Sequence, residues 1–312
     1  MAAILHDDEL PIDDQLVRRL VERDLPEYAE LPLTRLGASG STNALYRLGP
    51  ELLVRLPRQP GNGASITKEQ RWTPVLAAAL PVAVPEIVAL GEPGFGYPEP
   101  WSVVRWIDGT HPTSADPTAP PDPTRTGLAE GLAEVVAALR DVPVPAEAVG
   151  DPALRWYRGR ALAEFDADFR RNLERCREIT DLDLDLDAAR ALWERSLALP
   201  GATTAGPDRW YHGDLVAENL LVGHDRLVAV LDFGAVAVGD PTIDLHGAWE
   251  VLDPPARAVL QDRLGIDEAE WLRGRAWALG IALGAVGYYW DSMPGRRDDR
   301  LAMARNVLAD AD

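Results

Sequence analysis

The chain has 312 residues, a net charge of −19 and a single cysteine. This length allows one large domain or two lobes with a sizeable core. The negative charge argues against nucleic-acid binding, which needs a basic surface, and is compatible with a cationic partner or simply with high solubility. One cysteine excludes an internal disulfide, and no Cys/His cluster has the spacing of a zinc site.

No segment of the sequence has the pattern of a targeting signal or a membrane span. The first residues are acidic and lack the basic and apolar regions of a signal peptide. The longest apolar run, 276–290, is shorter than a membrane span and is interrupted by glycines. We therefore expect a buried core helix at this run and a cytoplasmic protein.

The first third of the chain is rich in predicted strands. After a short amphipathic helix, segment 31–58 contains three β-type runs separated by small and turn-forming residues. The first break includes Ser39, Gly40 and Ser41, whose small side chains would let backbone N–H groups approach a nucleotide phosphate. Read alone, the break is more typical of a plain hairpin turn, because it is neither a Walker A nor a full kinase glycine-rich motif.

Two charged residues stand out in this region. Arg55 lies in a predicted strand at 52–56 and should point to the opposite face from its apolar neighbours. Glu69 lies near the start of a helix predicted at 65–80, which Pro74 should kink or split into two segments. A solvent-facing strand arginine and an ordinary glutamate at a helix N-terminus are the plain alternatives.

A boundary between two lobes is expected near residue 110. Prolines favour extended backbone at 81–87, and segment 101–107 is typical of a strand that runs into a turn. Segment 111–125 is rich in Pro, Thr, Ala and Asp, which predicts a loop or linker. We therefore predict a strand-rich domain at 1–108 and a helical domain at 109–312.

The helical domain contains one inserted β-hairpin. Apolar periodicity predicts helices near 128–139, 156–177, 188–199, 255–264, 268–290 and 298–308. Two apolar runs within 220–231, separated by the polar tetrad 223–226, predict the hairpin.

Three oxygen-bearing side chains flank this hairpin. Asp214 follows His212-Gly213, Asn219 comes five positions later at the hairpin entrance, and Asp232 stands at its exit. Because the two ends of a hairpin lie close together, these side chains should share a small volume. Such ligands suit Mg²⁺, which takes one or two protein carboxylates plus substrate phosphates. A further carboxylate can accept the proton of a hydroxyl nucleophile, so the set predicts phosphoryl transfer.

The same residues resemble the protein-kinase signature H-R-D-x-x-x-x-N followed by D-F-G, with Gly213 in place of the arginine. This variant, with Gly-Asp-Pro at 239–241 and Asp-Leu at 244–245, is similar to the aminoglycoside phosphotransferase family. The resemblance implies an α+β, bilobal protein-kinase-like fold. A small N-terminal lobe with an antiparallel sheet and one helix would lead through a hinge to a larger, mainly helical C-terminal lobe.

The resemblance also implies roles for individual residues. ATP or GTP would bind with Mg²⁺ between the lobes, and its γ-phosphate would move to a hydroxyl of a small molecule. Asp214 would be the catalytic base, with Asn219 and Asp232 as metal ligands. Arg55, in the position of the kinase third-strand lysine, would hold the phosphates and would itself be fixed by Glu69.

Two further groups would bind the nucleotide. They are the phosphate-covering turn of Ser39, Gly40 and Ser41 and the hinge of Arg105, Trp106 and Ile107. The turn is short and the third-strand cation is an arginine, which leaves the choice of nucleotide open. His212 is expected to orient the loop rather than to act as a base, and Asp244 to support the loop backbone.

The acceptor is the least determined part of the prediction. The resemblance favours an aminoglycoside-type antibiotic or a similar cationic acceptor, and hence a role in antibiotic resistance. A metabolic small-molecule kinase, a macrolide phosphotransferase and a non-catalytic nucleotide-binding regulator are the alternatives. Four acids could line a cationic acceptor site or could be plain helix surface, namely Glu164, Asp166, Asp168 and Asp291.

Overall fold

The computed structural model describes residues 8–37 and 42–310. These residues form two compact units. The first takes residues within Met1–Ala78, Ala83–Asp108 and Asp232–Gly234, and the second takes residues within Ala79–Val82, Gly109–Leu231 and Ala235–Asp312. The turn predicted to cover the phosphates, Ser39 to Ser41, lies outside the described residues.

An antiparallel sheet of five strands forms the centre of the first unit. Its strands are β1 (Leu33–Arg35), β2 (Asn43–Leu48), β3 (Leu52–Pro57), β4 (Ile87–Gly91) and β5 (Trp101–Arg105). They lie in the order β1-β2-β3-β5-β4. A tight turn joins β2 to β3, and its Gly49 has a φ of 60°, a conformation that glycine adopts without strain. The sequence predicted all of these strands except β4, because the extended backbone expected at 81–87 reaches only its first residue.

Two helices accompany this sheet. α1 (Asp14–Asp24) begins at the N-cap Asp13, whose side chain accepts the Leu16 N–H at 2.7 Å. Its buried face joins the apolar side of the sheet in one core. α2 (Gly63–Ala77) continues through Pro74 as one helix. The alternative of a second segment beginning at Pro74 is therefore wrong, whereas a kink at Pro74 stays a prediction.

Helices make up most of the second unit. They are α3 (Arg125–Asp141), α4 (Ala146–Val149), α5 (Asp166–Arg177), α6 (Leu186–Ser196), α7 (Ala248–Val251), α8 (Pro254–Leu264), α9 (Glu268–Tyr289) and α10 (Pro294–Ala309). The helix predicted at 156–177 begins only at Asp166. Short 3-10 turns precede it, and in one of them a Cβ on Gly159 would lie 2.5 Å from the Tyr211 ring, so this approach requires glycine at position 159.

The second unit also contains two small antiparallel pairs. β6 (Arg209–Tyr211) pairs with β9 (Ala237–Gly239), a contact that the sequence did not predict. The predicted hairpin is confirmed as β7 (Leu220–Gly223) and β8 (Arg226–Val230). Its two turn residues, His224 and Asp225, have φ angles of 51° and 60°, as a type I′ hairpin turn requires.

The proline-rich segment after residue 110 belongs to the second unit and is not a free linker. The Ala115 N–H donates to the carbonyl of Glu250 at 2.6 Å, and the Asn306 amide donates to the Ala115 carbonyl at 2.8 Å. The Asp122 N–H donates to Asp253 at 2.7 Å. Hydrogen bonds to distant positions thus fix a segment whose composition alone suggested flexibility.

The apolar run at 276–290 falls largely within α9, most of whose residues between Ala276 and Leu283 are buried. Among the described residues, no helix combines the length and the apolar character needed to cross a membrane. The expectation of a core helix at this run is therefore confirmed.

Candidate active site

Residues 212–219 form the loop between β6 and β7, called the catalytic loop below because it carries the candidate base Asp214. His212 fixes the shape of this loop. His212 is fully buried. Its Nδ1 accepts the Asp214 N–H at 3.2 Å, so Nε2 carries the proton and donates to the Leu231 carbonyl at 2.9 Å. With both ring nitrogens engaged, His212 orients the loop and is not a base, as expected.

Asp244 supports the same loop from the other side. Its two carboxylate oxygens accept the N–H groups of His212 at 2.8 Å and of Gly213 at 2.6 Å. Gly213 has a φ of 82°, which favours glycine at this position. Burial raises the pKa of Asp244, although His212 and the backbone donors oppose that shift. The expected supporting role of Asp244 is confirmed.

Asn219 holds the side chain of Asp214. Its Nδ2 donates to the Asp214 carbonyl and to the Asp214 carboxylate, both at 2.9 Å. The Leu231 N–H donates to the Asn219 carbonyl at 2.8 Å and closes the base of the hairpin. Because Nδ2 donates both of these hydrogen bonds, Oδ1 is the side-chain atom of Asn219 that remains available to bind a metal.

Arg158 holds the other oxygen of Asp214 and was not identified from the sequence. Its Nη1 donates to Asp214 Oδ1 at 2.7 Å and to the Gly213 carbonyl at 2.5 Å. It follows two aromatic residues in a segment that periodicity assigned to a helix. The Trp-Tyr-Arg-Gly sequence, with its turn-favouring glycine, is the cue that could have marked this segment as a loop near the site.

The electrostatics of Asp214 follow from these contacts. Burial by itself raises the pKa of Asp214, but nearby charges, with Arg158 first among them and Arg300 also contributing, outweigh burial and hold it below its ordinary value. The side chain remains 30% exposed. Asp214 is therefore an ionised carboxylate of fixed orientation that a small molecule can reach.

In the first unit, Arg55 and Glu69 form a buried bidentate pair. Nη1 and Nη2 of Arg55 donate to the two Glu69 oxygens at 2.7 and 2.8 Å, and the residues are 5% and 3% exposed. Burial alone lowers the pKa of Arg55, but Glu69 and Asp232 outweigh it and raise that pKa. The expected pair is present, and its role in holding phosphates stays a prediction.

Asp232, also in the first unit, has a strained backbone. Its φ of 58° is rare for a residue with a side chain, and such strain, of order 1–3 kcal/mol, is concentrated at functional sites. Oδ1 accepts the Gly234 N–H at 3.3 Å and lies 3.8 Å from Arg55 Nη2. The side chain is 40% exposed, so its oxygens remain accessible to a ligand.

The residues expected to bind Mg²⁺ offer suitable donors. Asn219 has a free amide oxygen and Asp232 has an accessible carboxylate, and both are the hard oxygen ligands that Mg²⁺ prefers. No cluster of three or more His, Cys, Asp or Glu residues in the described part of the chain could hold a metal. Mg²⁺ in a phosphoryl-transfer site needs no such cluster, because waters and phosphates complete its shell.

Two of the three backbone N–H groups of the predicted hinge, residues 105–107, donate hydrogen bonds within the first unit. The Arg105 N–H donates to the Glu86 carbonyl at 3.0 Å, and the Trp106 N–H donates to the Glu51 carbonyl at 2.8 Å. The Arg105 side chain is exposed and pairs with Glu86. Within the described residues, the Ile107 N–H has no hydrogen-bond partner. An adenine contact at the hinge stays a prediction, with Ile107 as its available donor.

The acids proposed to line a cationic site are mostly paired with arginines on α5 or in the turns before it. Glu164 lies 3.8 Å from Arg160, and Asp166 pairs with Arg170 at 3.0 Å. Asp168 pairs with Arg171, and Asp291 is exposed. These contacts favour the plain-surface alternative for the α5 acids.

A buried ionic network lies against the catalytic loop. Glu218, within the loop, pairs with Arg296 and with Arg300, the latter at 2.6 Å. Arg300 also lies 2.7 Å from Glu250, which is fully buried and accepts the Ala217 N–H at 3.4 Å. Sequence reasoning missed this network because its members lie on the loop, α7 and α10, far apart along the chain.

Comparisons with known proteins agree with this architecture. The family model APH, "Phosphotransferase enzyme family", matches residues 34–277. The GDP complex of wild-type aminoglycoside 2'-phosphotransferase-IIIa has a TM-score of 0.72 and 17% identity, covering 96% of this chain and 99% of that one. The GDP and kanamycin complex of APH(2")-IIia has a TM-score of 0.69 and 18% identity, covering 96% and 98%.

A third similar structure is the macrolide 2'-phosphotransferase MphH from Brachybacterium faecium, with a TM-score of 0.60 and 24% identity over 94% of this chain and 98% of that one. No curated protein sequence matches the chain. At these identities the structures establish the α+β, kinase-like fold, while the family model spans most of the sequence. The chain therefore belongs to the APH phosphotransferase enzyme family.

Proposed function

We propose that the chain is a small-molecule kinase that transfers the γ-phosphoryl group of ATP or GTP to an acceptor hydroxyl. The observation that carries the proposal is Asp214, an accessible, ionised carboxylate whose two oxygens are fixed by Asn219 and Arg158. A base that must meet a hydroxyl in one orientation needs such fixation.

In the proposed reaction the acceptor hydroxyl donates its hydrogen bond to Asp214. The acceptor oxygen forms a bond to the γ-phosphorus while the bond from that phosphorus to the β–γ bridging oxygen breaks. The hydroxyl proton passes to Asp214, and the nucleoside diphosphate leaves. A low pKa suits a carboxylate that mainly orients the hydroxyl, since a loose transition state asks little of the base.

Charge on the phosphates would be neutralised by an arginine and a metal ion. Arg55, held rigid by Glu69, would donate to the nucleotide phosphates. Asn219 and Asp232 would hold Mg²⁺, which when bound neutralises charge on the phosphate oxygens. These roles fit the donors that each residue presents.

Several acceptor classes fit this chemistry. The cationic, aminoglycoside-type antibiotic expected from the sequence is the first to test, and a role in antibiotic resistance depends on it. A macrolide and a metabolic hydroxyl compound are the alternatives within the same fold. The intact set of Asp214, Asn219 and Asp232 argues against a non-catalytic regulator, which has no need of all three. A cytoplasmic location stays a prediction.

The test is release of nucleoside diphosphate with ATP or GTP across a panel of antibiotics, sugars and choline-like acceptors. In Asp214→Ala we expect turnover to fall by about 10²–10⁴-fold, the contribution of a positioned general base, with Mg²⁺-dependent nucleotide binding retained. Asp208→Ala is the matched control, because Asp208 pairs with Arg155 at the surface.

Full activity in Asp214→Ala would exclude Asp214 as the base. Nucleotide binding by the wild-type protein without transfer to any member of the panel would instead support the regulator.

A further inference from the structure

Arg158 places a positive charge directly at the proposed base. Its Nη1 lies 2.7 Å from Asp214 Oδ1, and it also donates to the Gly213 carbonyl. The negative charge of Asp214, which would attract an ammonium group beside the reacting hydroxyl, is thus already compensated. Any group next to that hydroxyl therefore meets a guanidinium as well as a carboxylate.

The guanidinium is held in place by aromatic neighbours. Its Nε donates to the Tyr157 hydroxyl at 3.0 Å, and its Cζ lies 4.3 Å from the centre of the Trp156 ring. Tyr157 in turn stacks on Phe165, with ring centroids 5.4 Å apart. The Arg158 side chain is 14% exposed. An arginine with this many contacts is a fixed part of the site and not a mobile surface charge.

One edge of Arg158 remains available to a ligand. Within the described residues, its Nη2 has no hydrogen-bond partner. Two N–H groups there can donate to a carbonyl, an amide oxygen or a carboxylate of the acceptor. These N–H groups cannot form a hydrogen bond with an ammonium group, because an ammonium group has only donors.

The other charges around Asp214 do not restore a site for a cation. The second acid of the catalytic loop, Glu218, is paired with Arg296 and Arg300. Glu250, beneath the loop, also faces Arg300. The three carboxylates of Asp214, Glu218 and Glu250 are therefore matched by three arginines, although the whole chain carries a net charge of −19.

We infer that the acceptor carries a neutral or anionic group, and not an ammonium group, next to the hydroxyl that is phosphorylated, and that Arg158 is the residue that makes this selection. The inference rests on the proposed function and narrows its acceptor class. An ammonium group next to the hydroxyl gains no net attraction from the compensated Arg158–Asp214 pair. A carbonyl or carboxylate oxygen there can instead accept a charge-assisted hydrogen bond from Nη2, which is worth about tenfold or more in affinity.

The experiment compares acceptors that differ in charge but share their hydroxyl groups. The matched pairs are kanamycin with its fully N-acetylated form and glucosamine with N-acetylglucosamine, with glucuronate as an anionic sugar. Release of nucleoside diphosphate gives kcat/KM for each. We expect the wild-type protein to favour the neutral member of a pair by about tenfold or more.

Two variants test the part played by Arg158. Arg158→Gln should lower the neutral-to-cationic ratio about tenfold, and Arg158→Lys, which keeps the charge, should preserve most of it. Arg155→Gln is the matched control, because Arg155 lies in the same segment but pairs with Asp208. The ratio does not depend on the folded fraction, so partial misfolding of a variant leaves the test intact.

Three outcomes would overturn the inference. They are equal or better use of the cationic member by the wild-type protein, an unchanged ratio in Arg158→Gln, and no turnover of any member of the panel. Calorimetry of Mg²⁺–nucleotide binding distinguishes a failure of the inference from a failure of the proposed function. Nucleotide binding with a preference for kanamycin rejects only the inference, whereas absence of nucleotide binding rejects the proposed function.

Discussion

Arg55 and Glu69 form a charge pair that is buried away from water. Their mutual hydrogen bonds offset the cost of burying the two charges. Both side chains are almost fully buried, and two short hydrogen bonds satisfy both carboxylate oxygens. Removing one member of such a pair leaves an uncompensated buried charge and destabilises a protein by about 3–5 kcal/mol. The pair therefore contributes to the stability of the first unit as well as to the proposed phosphate site.

Glu69→Ala should lower the free energy of unfolding by about 3–5 kcal/mol. Arg55→Ala should do the same, and the double variant should lose far less than the sum, because neither charge is then left alone. Urea unfolding of the three variants and the wild-type protein measures the coupling. Additive losses would show that the two side chains do not act as a pair.

Cys176 is a buried thiol that the proposed chemistry does not use. It is fully buried and donates to the Leu283 carbonyl at 3.4 Å, and burial raises its pKa from 9.0 to about 11. The unfolded chain therefore loses this proton first as the pH rises. The thiol's contribution to stability is present below pH 9 and is lost as the pH approaches about 11.

We expect the stability difference between the wild-type protein and Cys176→Ala to shrink by about 1.4 kcal/mol per pH unit across this window. Denaturant unfolding at several pH values measures it. A constant difference from pH 8 to about pH 11 would contradict a raised thiol pKa.

The residues of the motif could be selected from the sequence, but their partners could not. H-G-D-x-x-x-x-N places Asp214 and Asn219 five positions apart, and the structure shows them hydrogen-bonded. Arg158 lies 56 positions before Asp214, within a segment whose periodicity suggested a helix. Local pattern has no information on such a contact, because it depends on how distant elements pack.

Among the elements, α7 is preceded by Gly247, which lies against the catalytic loop. A Cβ at this position would lie 1.6 Å from the Leu215 carbonyl oxygen, next to Asp214. The φ of −63° is ordinary for any residue, so the need for glycine here is one of space and not of backbone conformation. The start of α7 can pack against the loop only because position 247 carries no side chain.

Gly247→Ala should therefore displace the loop. We expect a loss of stability of about 1–3 kcal/mol, typical of overpacking, together with a lower kcat. Thermal unfolding and diphosphate release measure the two effects. Gly295→Ala is the matched control, since no atom lies within 4 Å of its added Cβ and alanine favours helix. Equal effects of the two substitutions would exclude the steric explanation.

Elements with a strong local pattern were predicted well. Strands β1, β2, β3 and β5, the β7–β8 hairpin and the long helices all follow alternation or helical periodicity. β4 shows no clear alternation of buried and exposed residues, and its register with β5 shifts between Ile87 and Ala89. β6 and β9 have three residues each, and their pairing joins distant parts of the chain. The segment before α5 was assigned to a helix, but it forms short 3-10 turns in which Gly159 packs against Tyr211.

Over the whole molecule, the net charge of −19 opposes compaction. Exposed carboxylates that repel one another are screened as the Debye length falls from about 30 Å at 0.01 M salt to about 8 Å at 0.15 M. Screening also weakens exposed ion pairs, of which α5 carries several. With acids in clear excess, the relief of repulsion should be the larger effect.

We therefore expect the Tm to rise between low and physiological NaCl concentrations. Scanning calorimetry measures the change. The double variant Glu147→Gln/Glu178→Gln, which neutralises two exposed acids, should show a smaller rise. A Tm that falls with salt would mean that surface ion pairs outweigh repulsion.

The sequence by itself determined the family resemblance, the fold class and the motif residues, because these depend on periodicity and on spacings of a few positions. Only the tertiary structure decided what surrounds Asp214. Arg158, Glu250 and Arg300 come from segments that packing brings to the loop. Their effect is electrostatic and falls with distance, so it depends on positions in space that no linear pattern specifies.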